Sequence, residues 1–339
     1  MTRWAAAIAI VGALACACGG APGPGPVPRK TMHSDHRFDF LLGETREIYR
    51  AHADADAARV ALVRAALRED AREEVRRNAI VALTAAQEAA AVPDYIAGLD
   101  DPAPFVASEA AAALATYGPA SLSGPANEPA LAALRAHAAR LRELLGAPLE
   151  TARFNALSAL VAIADPDTAL ATVLGDDSGL VRREALELAG VRTLGADDVE
   201  ALGAFAAREP DAQLRVMAVN LVAARAPQLA LPVLTAALAR GDADRSTASL
   251  VADARLVALV PAILAYLKAN PKEPYFFATL AAFGATCAAK TIAHLAQGPW
   301  SEAFATEALA KLSGHADWSR DQLLAWANAQ RESGPPCTP

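Results

Sequence analysis

The sequence predicts an all-α protein, a right-handed α-solenoid of about seven or eight helix pairs. Three observations carry this. About a quarter of the 339 residues are Ala, with Leu and Val behind it, while aromatics make up only 5%. Ala and Leu favour helix, and the β-branched and aromatic enrichment of a large sheet is missing. A short basic and apolar segment recurs at intervals near 30 residues, each time followed by a second apolar stretch. A helix pair of that size cannot bury its apolar face alone, so consecutive units stack on one another.

The N-terminus reads as an address. Arg3 supplies a positive charge, and Trp4 to Ala17 is an apolar run too short to span a bilayer as a stable helix. This layout is that of a secretory signal peptide over residues 1–15. The end of the run, Ala13-Leu14-Ala15-Cys16, resembles the lipobox of bacterial lipoproteins, although Leu stands two rather than three places before the Cys. The resemblance implies cleavage before Cys16 and a diacylglycerol on its thiol, with Cys18 a second register. Loss of Arg3 would take the formal net charge from -7 to -8. Residues 16–36 continue through Gly19-Gly20-Ala21-Pro22-Gly23-Pro24-Gly25-Pro26, which can enter neither helix nor sheet. They form an extended tether. No Asp follows either Cys, and the resemblance then implies outer-membrane sorting in a bacterial cell envelope.

The repeats occupy residues 37–316. Val75-Arg76-Arg77-Asn78-Ala79 shares its frame with Phe105 to Ala110, Thr151 to Ala156, Val181 to Ala185 and Leu214 to Ala218. The small anchors are Ala79, Ala110, Ala156, Ala185 and Ala218, with weaker copies at Ala248, Ala278 and Ala308. An Ala anchor lets two helices approach closely while Leu fills the seam between units. Second helices begin near Pro, as in Val92-Pro93-Asp94-Tyr95 and Leu231-Pro232-Val233, where the missing N–H costs nothing. Asp100-Asp101-Pro102, Asp176-Asp177-Ser178 and Glu209-Pro210-Asp211 precede first helices and read as N-caps.

Together these segments resemble the HEAT repeats in their short bacterial form, over about Ala55 to Leu312. The resemblance is weak from Asp242 to Asn270, and the least regular join is expected around Gly241 to Asp253. An insertion, Tyr117 to Pro129, separates the two helices of one unit. The helix after it is expected to carry one stripe of Leu131, Leu134, Ala138, Leu141 and Leu145, with Arg135 and Arg142 on one edge and His137 on the other. Residues 317–339 supply a capping helix with Leu323, Leu324 and Trp326, and then a tail.

Chemistry-bearing patterns are sparse. His33-Ser34-Asp35-His36 lacks the three or four converging ligands of a metal site. Asp54-Ala55-Asp56 and Asp242-Ala243-Asp244 lack the Gly and terminal Glu of a calcium loop. No nucleophile signature or phosphate loop is present, so neither metal nor cofactor is expected. Arg59, Arg64, Arg68, Arg72 and Arg76 are interleaved with Glu69, Asp70, Glu73 and Glu74, which reads as a salt-bridged exposed face. The acidic net charge disfavours nucleic acid. Export would place Cys287 and Cys337 in an oxidising compartment and favours a disulfide between them. An inert Cys287 with a free tail thiol, or pairing with Cys18, are the competing readings.

The expected function is that of a lipid-anchored, non-catalytic scaffold binding a protein or peptide on its concave face. The second helices are expected to line that face, with Tyr95, Arg135, His137, Arg142, Lys290 and His294 as the contact candidates. The rival is an enzyme or enzyme accessory resembling the HEAT-like bilin lyases, which would require a deep pocket with convergent titratable groups. A third reading is purely structural packing in the envelope.

Overall fold

The computed structural model describes residues 36–42, 56–86, 88–116, 128–296, 298–332 and 337. The signal peptide, Cys16, Cys18, the tether, His33, Asp35, Asp54 and most of the 117–129 insertion lie outside the described residues. Among the described residues every regular element is helical. The chain divides into two compact units, one running to Thr168 and including Asp176–Arg192, the other comprising Ala169–Gly175 and Thr193–Pro339.

The first unit opens with a 3-10 turn, His36–Leu41, whose Phe38 and Leu41 are fully buried. Its α-helices are α1 (Ala57–Glu69), α2 (Glu73–Ala85), α3 (Val92–Gly98), α4 (Pro104–Ala115), α5 (Glu128–Ala136), α6 (Ala138–Leu144) and α7 (Glu150–Ala162). After α8 (Leu170–Val173), which belongs to the other unit, α9 (Gly179–Val191) completes it. Helices α2, α4, α7 and α9 touch in succession and form a row, with α1 against α2, α3 against α4, and α6 against α7. The anchors Ala79, Ala110, Ala156 and Ala185 are all fully buried along that row. Small side chains are needed here: a Cβ placed on Gly98 of α3 would stand 3.0 Å from the Cβ of Ala110. Larger groups at this crossing would push two helices apart.

The second unit holds α8, α10 (Ala196–Arg208), α11 (Ala212–Arg225), α12 (Ala230–Arg240), α13 (Arg245–Asp253), α14 (Val260–Ala269), α15 (Phe277–Ala282), α16 (Ala289–Leu295), α17 (Pro299–Ser313) and α18 (Arg320–Ala329). First helices α11, α13, α15 and α17 form one row; second helices α8, α10, α12, α14, α16 and α18 form another. Phe205, Tyr266, Phe276 and Phe277 are the largest buried side chains of this unit. Leu323 and Ala327 of α18 are buried, and α18 packs on α16 and α17.

Four expectations change. The stripe after the insertion is two helices, because the chain breaks at His137 (φ -101°, ψ 11°). The His137 imidazole Nδ1 lies 2.7 Å from the Ala133 carbonyl, the acceptor that its own backbone N–H also uses. Leu144 rather than Leu145 is consequently buried. At the weak anchor Ala278 the register slips by one: Ala278 is exposed, while Thr279 is buried and donates to the Ala248 carbonyl at 2.9 Å. The turn at Gly241 is held like the others. Gly241 takes the left-handed conformation (φ 83°) that ends α12, and Asp244 caps α13 through the Thr247 N–H at 2.8 Å.

The fourth change concerns the arginines of α1 and α2, which are not a solvated face. Arg64 pairs with Asp94 at 2.5 Å, and that carboxylate is buried; Arg68 joins it at 3.4 Å. Arg72 bridges Asp70 (2.8 Å) and Asp39 (2.7 Å). Arg59 stacks over the Phe40 ring. The chain bends at Asp70, so residues that alternate in sequence turn toward different neighbours.

Candidate functional site

Each unit is built on a rung that joins the arginine of one frame to the acidic turn after the next helix. Arg76 makes a two-pronged ion pair with Asp101 (2.7 and 2.9 Å) and donates to the carbonyls of Asp70 and Ala71. Arg153 does the same with Asp176 (2.7 and 2.9 Å) and the carbonyls of Ala147 and Pro148. In the second unit Arg215 pairs with Asp242 at 2.8 Å and donates to the carbonyls of Glu209 and Pro210. One planar guanidinium thus ties the turn before its own helix to the turn before the next first helix, a geometry suited to its fork of donors. Asp101, Asp176 and Asp242 are therefore counterions rather than helix N-caps. The caps lie further on, at Ser178 and Asp211. Asp101 and Asp176 also accept from the N–H two residues ahead.

Burial alone would disfavour ionised Asp176. The hydrogen bonds from Arg153 and the Ser178 N–H, with the positive charges of Arg153 and Arg182, outweigh that and hold its carboxyl below the ordinary range. Asp70 is held low by the same balance, through Arg72. A second kind of polar group lies along the seam of the first unit. Glu109 is largely buried, 3.6 Å from Arg77 and 3.3 Å from the Asn155 amide, and burial pushes its carboxyl upward. Glu184, which accepts from Ser158 at 2.7 Å, is raised for the same reason.

Second helices also present side chains to solvent, among them Lys268, Lys290 and His294. In the second unit this surface carries a groove of about 560 Å³ between α14, α16 and α18. Lys268 reaches it from the last turn of α14, Lys290 and His294 from α16, and Leu324 and Asn328 from α18. The last two pairs are each four residues apart, hence on one helix face. Glu332, just past α18, lies 3.4 Å from Lys290. A disulfide joins Cys287, just before α16, to Cys337, with their Cα atoms 6.0 Å apart.

The six contact candidates do not form one cluster. Tyr95 is fully buried in the first unit's core and presents nothing to a partner, because its ring lies on the inner face of α3. Arg135 is exposed but paired with Glu128 at 2.7 Å. Arg142 is turned onto the buried carboxylate of Asp165 at 2.9 Å. His137 is half-buried, with Nε2 3.4 Å from Asp100. Lys290 and His294 do share a site, and the residues missed beside them are Lys268, Asn328 and Glu332. Lys268 sits in the stretch without a clear frame, so its helix face was not readable. Asn328 lies on the capping helix and Glu332 just past it, and only the packing of that helix on α16 brings them to this groove.

Among the described residues no single helix is long and apolar enough to cross a membrane, and no group of three or more His, Cys, Asp and Glu side chains converges. No curated protein matches the chain. The family of HEAT repeats matches residues 60–140. From α1 into α6, therefore, the helix pairs tied by the Arg76–Asp101 rung and packed on Ala79 and Ala110 are similar to HEAT repeats.

Proposed function

We propose that this chain is a membrane-anchored, non-catalytic adaptor of the bacterial cell envelope, which binds a protein or peptide along the outer surface of its second helices. The observation that carries the reading is the match to HEAT repeats at residues 60–140, a helical repeat suited to protein interaction. A solenoid offers a long surface whose contacts are spread over successive units. The open groove at Lys290 and His294 supports binding in preference to chemistry, since its lining side chains face solvent rather than converge in an enclosed pocket. Anchoring rests on the short apolar run ending at Cys16 and on the Pro/Gly tether behind it.

The test is a pull-down from detergent-solubilised bacterial membranes with the lipidated full-length chain as bait. One or a few partners should be retained stoichiometrically and survive physiological salt. Absence of any partner under conditions where the bait stays folded would leave the scaffold reading without support.

A further inference from the structure

We propose that the groove between α14, α16 and α18 docks an acidic segment of a protein partner, whose carboxylate takes the place of Glu332 on Lys290. This rests on the reading of the chain as a protein-binding adaptor and names the chemistry of what it binds.

Three observations lead there. The groove gathers Lys268, Lys290 and His294 from two successive second helices, in a chain with a formal net charge of -7. Positive side chains are a minority overall, and Arg76, Arg153 and Arg215 are engaged in rungs. Here the two lysines and the imidazole stand at the solvent-facing wall of one depression. Next, the lining already holds a carboxylate. Glu332 sits 3.4 Å from Lys290, with both side chains about half exposed (53% and 48%). An exposed pair of this kind is worth little and exchanges readily for another carboxylate. Finally, the groove is not purely ionic. Leu295 and Leu324 supply apolar floor, and the Asn328 amide can donate to a backbone carbonyl. Charge then selects and steers the partner while the apolar floor retains it.

The experiment is fluorescence anisotropy with the purified full-length chain in nonionic detergent. The probes are a short labelled peptide rich in Glu and Leu, and its analogues with Gln or Lys in place of Glu. The Glu peptide should bind, and the Gln analogue should bind about tenfold more weakly or worse. Lys268→Glu with Lys290→Glu should weaken the Glu peptide by about tenfold or more, and Glu332→Gln should tighten it by about threefold. A milder pair, Lys268→Gln with Lys290→Gln, repeats the measurement should the double reversal fail to fold, as read by circular dichroism.

Equal binding of the Gln and Glu peptides would overturn the proposal, as would binding untouched by either lysine pair. So would sedimentation with anionic phospholipid vesicles that depends on the lysines while the Glu peptide does not bind, since the groove would then address a lipid surface. If the peptide fails and a pulled-down partner is retained equally by the lysine variants, the acidic-segment inference falls and the adaptor reading stands. If no partner is captured at all, the adaptor reading falls with it.

Discussion

Arg153 and Asp176 lie 23 residues apart and meet side by side, Nε to Oδ2 at 2.7 Å and Nη2 to Oδ1 at 2.9 Å, with both side chains largely buried (16% and 11% exposed). The guanidinium carries two further hydrogen bonds to the carbonyls of Ala147 and Pro148. One side chain therefore fixes two turns, and the acid it holds fixes the start of α9 through the Ser178 N–H.

Breaking this rung should be costly. Arg153→Ala or Asp176→Asn is expected to destabilise the fold by about 2–3 kcal/mol, because each leaves a partly buried charge or a set of carbonyls without its partner. The double variant should cost less than the sum of the singles. Arg135→Ala is the control: its pair with Glu128 is more than half exposed on both sides and should be worth about 0.5 kcal/mol or less. Urea unfolding of the four proteins checks the ranking.

The dependence on pH should have two limbs. Asp70 and Asp176 are held below the ordinary carboxylate range when folded. Their contribution is present above the unfolded value, near pH 4, and is lost as pH falls through the folded one. Glu109 and Glu184 are raised by burial, so their contribution has the opposite sign. It is fully present below the unfolded value, about pH 4.3, and is lost as pH rises through the folded one. Stability should thus increase on going from neutral to weakly acidic pH and then collapse below about pH 4. Glu109→Gln should stabilise the protein at pH 7 and flatten the upper limb. A variant that leaves that limb unchanged would show that Glu109 does not cause it.

Seam alanines should resist enlargement. Ala110 is fully buried, and its Cβ lies where even a methyl on Gly98 would crowd it. Ala110→Leu is expected to cost about 1–3 kcal/mol by overpacking. At the exposed Ala278 the same substitution should change stability by no more than about 0.5 kcal/mol. Thermal melts of both variants separate a seam position from a surface one.

The disulfide closes a loop between residues 50 apart in sequence. Cys287→Ser with Cys337→Ser should lower stability by up to about 4 kcal/mol on the chain-entropy estimate. Non-reducing peptide mapping of the purified protein should recover the two cysteines in one linked fragment. Recovery of free thiols at both positions would contradict the bond.

Lipid attachment is checked separately. Cys16→Ser should release the protein from the membrane fraction and abolish incorporation of labelled fatty acid. Full retention with continued labelling would show that Cys16 is not the anchor, and the same assay on Cys18→Ser reads the second register.

The sequence by itself determined the helical class, the repeat and the seam. Helix propensity and a period near 30 residues are local properties, and Ala79, Ala110, Ala156, Ala185 and Ala218 are all fully buried where the frame puts them. Helix caps were only partly legible, because an acid before a helix satisfies two patterns: a cap on its own helix and a counterion for a distant arginine. Only tertiary packing chose the second for Asp101 and Asp176, since the partner is 23 to 25 residues away. Packing also decided what a one-residue change of helix face decides. Tyr95 went inside, Arg142 turned to Asp165, and Thr279 took the buried place expected of Ala278. Side chains on a helix are 100° apart, so a small shift in where the neighbouring helix crosses moves a residue between core and solvent. The groove was least legible of all: Lys268, Lys290, Asn328 and Glu332 come from three helices and the segment just past the last of them, and only the stacking of those helices brings them together.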